Sequence, residues 1–107
     1  MQRARANQMR QGDVFIERIA AIPNGAKPKA RDNGRVVLAY GEMTGHAHAI
    51  AEPEALLYDL DGELFLEADG TVTLRHEEHG EIAIQKGFYH VKRQREYTPE
   101  AIRNVVD

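Results

Sequence analysis

Apolar residues recur at every second position along most of this chain, which is the period of a β-strand with one buried face. Residues 13–19 (DVFIERI) and 35–40 (RVVLAY) read as strands. Between them, residues 23–34 (PNGAKPKARDNG) form a Gly/Pro-rich loop with a basic centre. Residues 46–51 (HAHAIA) follow a glycine-flanked turn over 41–45. Segments 55–60, 63–68 and 71–76 are separated by Asp61-Gly62 and Asp69-Gly70, dipeptides that favour positive φ, and so predict three consecutive antiparallel strands. EIAIQ (81–85) and FYHVKR (88–93) bring the total to about eight strands. Closure hides the edges of such a sheet best, so the expected fold class is all-β: a small antiparallel barrel or jelly roll.

The period changes near the C-terminus. Thr98 can cap a helix, Pro99 suits its first turn and Tyr97 can staple onto Ile102, while Ile102, Val105 and Val106 share one face. A short C-terminal helix is predicted, docked as a lid or as the contact of a homodimer. At 107 residues the chain can build one core. The expected division is a single β-barrel domain over 13–107, preceded by a polar, basic extension over 1–12 that is disordered. Met9 offers an alternative start.

Composition removes several function classes. A net charge of −3 gives no global field aimed at nucleic acid or membrane. With no cysteine, there is neither a disulfide framework nor a thiolate metal site, and metal ligands must come from His, Asp, Glu or backbone. No apolar run approaches a membrane span, and no signal-peptide stretch is present, so a cytoplasmic protein is expected.

The candidate chemistry lies in GEMTGHAHAIAE (41–52), which carries two of the five histidines. Strand parity puts His46, His48, Ile50 and Glu52 on one face and Ala47, Ala49 and Ala51 on the other. Ile50 argues that the histidine face points inward, and in 71–76 His76 shares the apolar face of Val72 and Leu74. Several buried imidazoles beside a carboxylate are costly unless each polar atom has a partner, and one divalent cation can partner them all. His76-Glu77-Glu78-His79 is not a zinc-protease motif, because its histidines are three apart rather than four and follow a strand.

The order of these residues resembles the cupin superfamily. Gly41, His46-Ala47-His48, Glu52 and Gly62 follow its first motif, and Gly80, Gly87 and His90 its second, with Lys86 and Gln94 where the family has Pro and Asn. The resemblance implies a jelly-roll barrel with a metal held by His46, His48, Glu52 and His90. The ion would be Zn, Fe, Mn, Ni or Co, bound at about 2.0–2.1 Å for zinc and imidazole. If the protein is an enzyme acting on a small molecule, the metal polarises an oxygen or activates water, and His76 or Glu52 moves protons. Gly41 and Gly45 would let the turn bring His46 to the metal.

Two other classes fit parts of the sequence. Lys27, Lys29, Arg31 and Arg35, with Lys92, Arg93 and Arg95, could form a basic patch beside Tyr89 and Tyr97 that binds single-stranded RNA or another anionic partner. Metal-free acid–base catalysis by a pair of imidazoles is the third.

Overall fold

The computed structural model describes residues 7–41 and 46–93. Ten strands occur among them: β1 (Gln8–Gln11), β2 (Val14–Ile19), β3 (Lys27–Lys29), β4 (Val36–Tyr40), β5 (Ala47–Ile50), β6 (Ala55–Leu60), β7 (Glu63–Ala68), β8 (Val72–Arg75), β9 (Ile82–Ile84) and β10 (Gly87–Arg93). They form a six-stranded sheet in the order β1-β2-β10-β7-β6-β3 and a four-stranded sheet in the order β4-β5-β8-β9, every pairing antiparallel. The all-β expectation holds, but the barrel does not close. Hairpins β4-β5, β6-β7 and β8-β9 each stay within one sheet, which leaves β1 and β3 as edges of the larger sheet and β4 and β9 as edges of the smaller.

The two Asp-Gly turns behave differently. Asp61 (φ 52°) and Gly62 (φ 88°) both take positive φ, and they join β6 to β7 in register. Asp69-Gly70 instead turns a corner between the sheets: the Asp69 N–H donates to the Glu54 carbonyl at 3.0 Å, and β8 pairs with β5 and β9 rather than with β7. The expected third strand of a continuous meander is therefore corrected to the start of the second sheet's hairpin.

Two short edge strands also depart from expectation. β1 lies in the segment expected to be disordered, and β3 lies inside the basic loop. The C-terminal helix expected from Thr98 onward, and Gly45 in the turn before His46, fall outside the described residues. No helix among the described residues is long and apolar enough to cross a membrane.

Between the sheets lies one apolar core in which Val14, Ile16, Ile50, Leu66, Val72, Leu74, Ile84 and Tyr89 are fully buried. A bulge in β4 between Val37 and Ala39 turns both Leu38 and Ala39 into this core. Tyr89 is its aromatic anchor: the hydroxyl donates to the Gln85 carbonyl at 2.6 Å and accepts from Arg18 Nη2 at 2.9 Å. Burial raises the phenol's pKa, an effect that the Arg18 charge opposes. A fully buried ring cannot stack on a base, so Tyr89 does not serve the RNA-binding surface the sequence suggests.

Candidate metal centre

The pairing of β5 with β8 settles which way the histidine row points. Ile50 faces Leu74 across the ladder, and both sit in the core. His48 has Ile50's parity and is 3% exposed. Ala47 and Ala49 point to the opposite face, where they form a small cluster with Val37.

His48 is held by a group the sequence reading passes over. Gln11, the last residue of β1, is buried, and its amide nitrogen donates to the carbonyls of Leu74 at 3.0 Å and Gly80 at 2.8 Å. Those carbonyls only accept, so the amide oxygen is the atom left to face His48 Nδ1, 2.9 Å away. Nδ1 must therefore carry the ring proton, which leaves a lone pair on Nε2. Nε2 looks toward Asp13 Oδ1 at 3.6 Å. Burial, followed by repulsion from His76, pushes the His48 pKa down to about 4, against the pull of Asp13. At Asp13 burial works upward, but the hydrogen bond and charge of Arg93 outweigh it and the pKa falls.

Four imidazoles gather at this end of the sandwich. His76, just past β8, lies 4.3 Å from His48, 4.7 Å from His79 and 5.7 Å from His46, centroid to centroid. The Glu78 N–H donates to His76 Nδ1 at 3.0 Å. His79 comes within 5.8 Å of His48 because position 12 has no side chain: a Cβ there would stand 2.7 Å from His79 Nε2. Gly41 serves His46 similarly, since a Cβ would meet the His46 Cβ at 2.9 Å. Glu77 is fixed by the Ala47 N–H, which donates to its Oε1 at 3.0 Å and, more than any neighbouring charge, lowers its pKa. His46 Nδ1 lies 3.7 Å from Glu78 Oε2.

Within this assembly His46, His76 and Glu77 each offer one ligand atom, and the three atoms lie within 4.8 Å of one another. Two imidazoles and a carboxylate suit a divalent first-row metal and leave positions open for water or another ligand.

Two residues of the cupin-like set lie elsewhere. His90 has the opposite parity from the core residues Tyr89 and Val91, so it stands on the outer face of the larger sheet. There it stacks on Phe65 at 4.8 Å and its Nε2 lies 3.1 Å from Glu63 Oε1. Glu52 follows β5 at the end away from His46, and six residues at about 3.3 Å each put the two roughly 20 Å apart. Its Oε1 is buried without a hydrogen-bond partner. Burial would raise the Glu52 pKa, but hydrogen bonds from Thr73 and the charge of Arg75 bring it down. The structure thus brings His46, His48 and His76 together, adds His79, Glu77 and Asp13, and leaves His90 and Glu52 out.

Of the basic residues named for a patch, Arg31, Lys92 and Arg93 are engaged within the chain, while Lys27 and Lys29 are exposed on β3. Arg31 donates to the carbonyls of Gly34, Glu52 and Ala55, Lys92 pairs with Glu17, and Arg93 pairs with Asp13 and the Tyr40 carbonyl. Arg95 lies outside the described residues.

A two-sheet, all-antiparallel β-protein with four imidazoles and flanking carboxylates at one end is the class that fold and site define. The chain belongs to a family described as a domain of unknown function (DUF8820), whose model matches residues 10–94. No curated protein and no solved structure matches it.

Proposed function

We propose that this protein binds one divalent transition-metal ion through His46, His76 and Glu77. The observation that carries the reading is the convergence of these three ligand atoms to within 4.8 Å of one another. A tetrahedral zinc site with bonds of about 2.0–2.1 Å needs donor atoms roughly 3.3 Å apart, so modest rotation of half-buried and exposed side chains closes it. Binding exchanges the hydrogen bond from the Glu78 amide to His76 for a metal bond or for a proton on Nδ1. This set shares only His46 with the cupin-like ligands, and His76 and Glu77 take the roles that the resemblance gives to His90 and Glu52.

His48 contributes from behind. A neutral imidazole with its tautomer fixed by a buried amide adds no positive charge beside the cation at neutral pH, and its Nε2 faces Asp13. Three protein ligands leave room for a water or a substrate oxygen, which a bound metal would polarise. Titration calorimetry with Zn(II) on untagged protein tests the reading. One site per chain is expected, lost in the His76→Ala/Glu77→Gln variant. The same uptake by both proteins would contradict it.

A further inference from the structure

The alternation HAHAIA has a second consequence on the face opposite the histidines. Along β5 the side chains of Ala47, Ala49 and Ala51 reach only as far as Cβ, and the strands on both sides rise above them. Val36 faces Ile50, so Arg35 stands beside Ala51 on one wall, while Arg75 faces Ala49 on the other. The result is an open cavity of about 290 Å³ lined by Arg35, Arg75, His76 and Glu77 over the three alanines. Its volume is close to the lower end of the roughly 300–1,000 Å³ of small-molecule sites.

The two arginines differ in their engagements. Arg75 Nη1 lies 2.7 Å from Glu81 Oε2, but both side chains are more than half exposed, so that pair is weak and readily exchanged. Among the described residues Arg35, partly buried, makes no side-chain hydrogen bond or ion pair; its charge acts on nearby Tyr40, and its backbone pairs with Asp32. A guanidinium left without an acceptor at one end of a cavity, with two metal-ligand candidates at the other, is arranged for an anion with two acidic ends.

We propose that this cavity binds a small dicarboxylate, one carboxylate taken by Arg35 and the other completing the coordination of the metal ion. The inference rests on the metal reading above and adds the chemical class of its ligand. Arg75 lies between the two ends and adds positive charge along the way. The groove runs outside the sandwich, so the ligand reaches the metal across the alanine face of β5 and never enters the core.

The test uses the full chain loaded with Co(II), whose visible absorption reports coordination, and succinate as the probe. Succinate is expected to alter the Co(II) spectrum of the wild type in a saturable way. Arg35→Gln should bind Co(II) with the same spectrum and affinity, which also reports that it folds, while its succinate affinity falls about tenfold or more. Arg35→Lys, which keeps the charge but loses the fork, should fall between them. Co(II) bound normally with no response to succinate, or an equal response in Arg35→Gln, overturns this inference and leaves the metal reading standing. No Co(II) uptake by the wild type removes both.

Discussion

Gln11 Oε1 and His48 Nδ1 lie 2.9 Å apart although the residues are 37 positions apart in sequence. This one contact ties the N-terminal edge strand to the histidine row and decides which imidazole nitrogen is free. Replacing Gln11 by Leu removes the partner of His48 Nδ1 and of the Leu74 and Gly80 carbonyls. Gly80 is exposed and its carbonyl turns to water, while His48 Nδ1 and the Leu74 carbonyl are left buried and unpaired at about 1–3 kcal/mol each, so the variant should lose roughly 2–6 kcal/mol in urea unfolding. A loss below about 0.5 kcal/mol, the scale of an ordinary surface change, would contradict the role given to Gln11.

The low pKa of His48 makes the stability of the metal-free protein depend on pH. Its folded value of about 4 lies below the ordinary 6.5, so below pH 6.5 the unfolded chain binds the proton first. The stabilisation is complete above pH 6.5 and is lost as pH falls from there toward 4. A shift of this size corresponds to something on the order of 3 kcal/mol. Unfolding free energies measured at pH 7 and pH 4.5 should differ by about 2 kcal/mol more in wild type than in His48→Gln. Equal pH dependence in the two proteins would rule out a buried neutral imidazole.

Variants distinguish the cluster from the cupin-like ligand set. His90→Ala and Glu52→Gln should leave Zn(II) affinity within about a factor of two, because one side chain stacks on Phe65 outside the sandwich and the other lies at the far end of β5. His76→Ala should weaken it by about tenfold or more, as loss of a metal ligand does. Competition with a chromophoric chelator reads all three.

How much of this could be read from the sequence follows from how local each signal is. The β6-β7 hairpin was legible because Asp61-Gly62 fixes both turn dihedrals and the strands it joins are adjacent. Asp69-Gly70 carries the same dipeptide, yet the amide of Asp69 is taken by Glu54 and the chain changes sheet, a choice made by non-local packing. β1 and β3 were hidden because edge strands need not alternate: QMRQ buries a glutamine, and KPK is exposed throughout.

The site divides in the same way. Parity gave the shared face of His46, His48 and Ile50. Bringing His76, Glu77 and His79 to it depends on β8 pairing with β5, which no spacing within either segment reveals. His90 has a ligand's chemistry and a plausible place in a motif, but its parity with Phe88 and Lys92 rather than with Tyr89 and Val91 was the signal that it faces outward.

Tyr89 offers a check on the core. Tyr89→Phe keeps the ring and removes a hydroxyl bonded to Gln85 and Arg18, for an expected loss of about 1–2 kcal/mol. Tyr89→Ala leaves a cavity between the sheets and should cost about 3–5 kcal/mol, the range found for large aromatic deletions. Near-equal losses for the two would mean that the ring is not packed between the sheets.

X-ray absorption at the zinc edge of the untagged, zinc-loaded chain measures the ligand shell itself. Nitrogen and oxygen neighbours at about 2.0–2.1 Å with two imidazoles are predicted, unchanged in His90→Ala, with zinc lost from His46→Ala/His76→Ala. A three-imidazole shell that loses one in His90→Ala, or zinc bound unchanged by the double variant, would contradict the assignment to His46, His76 and Glu77.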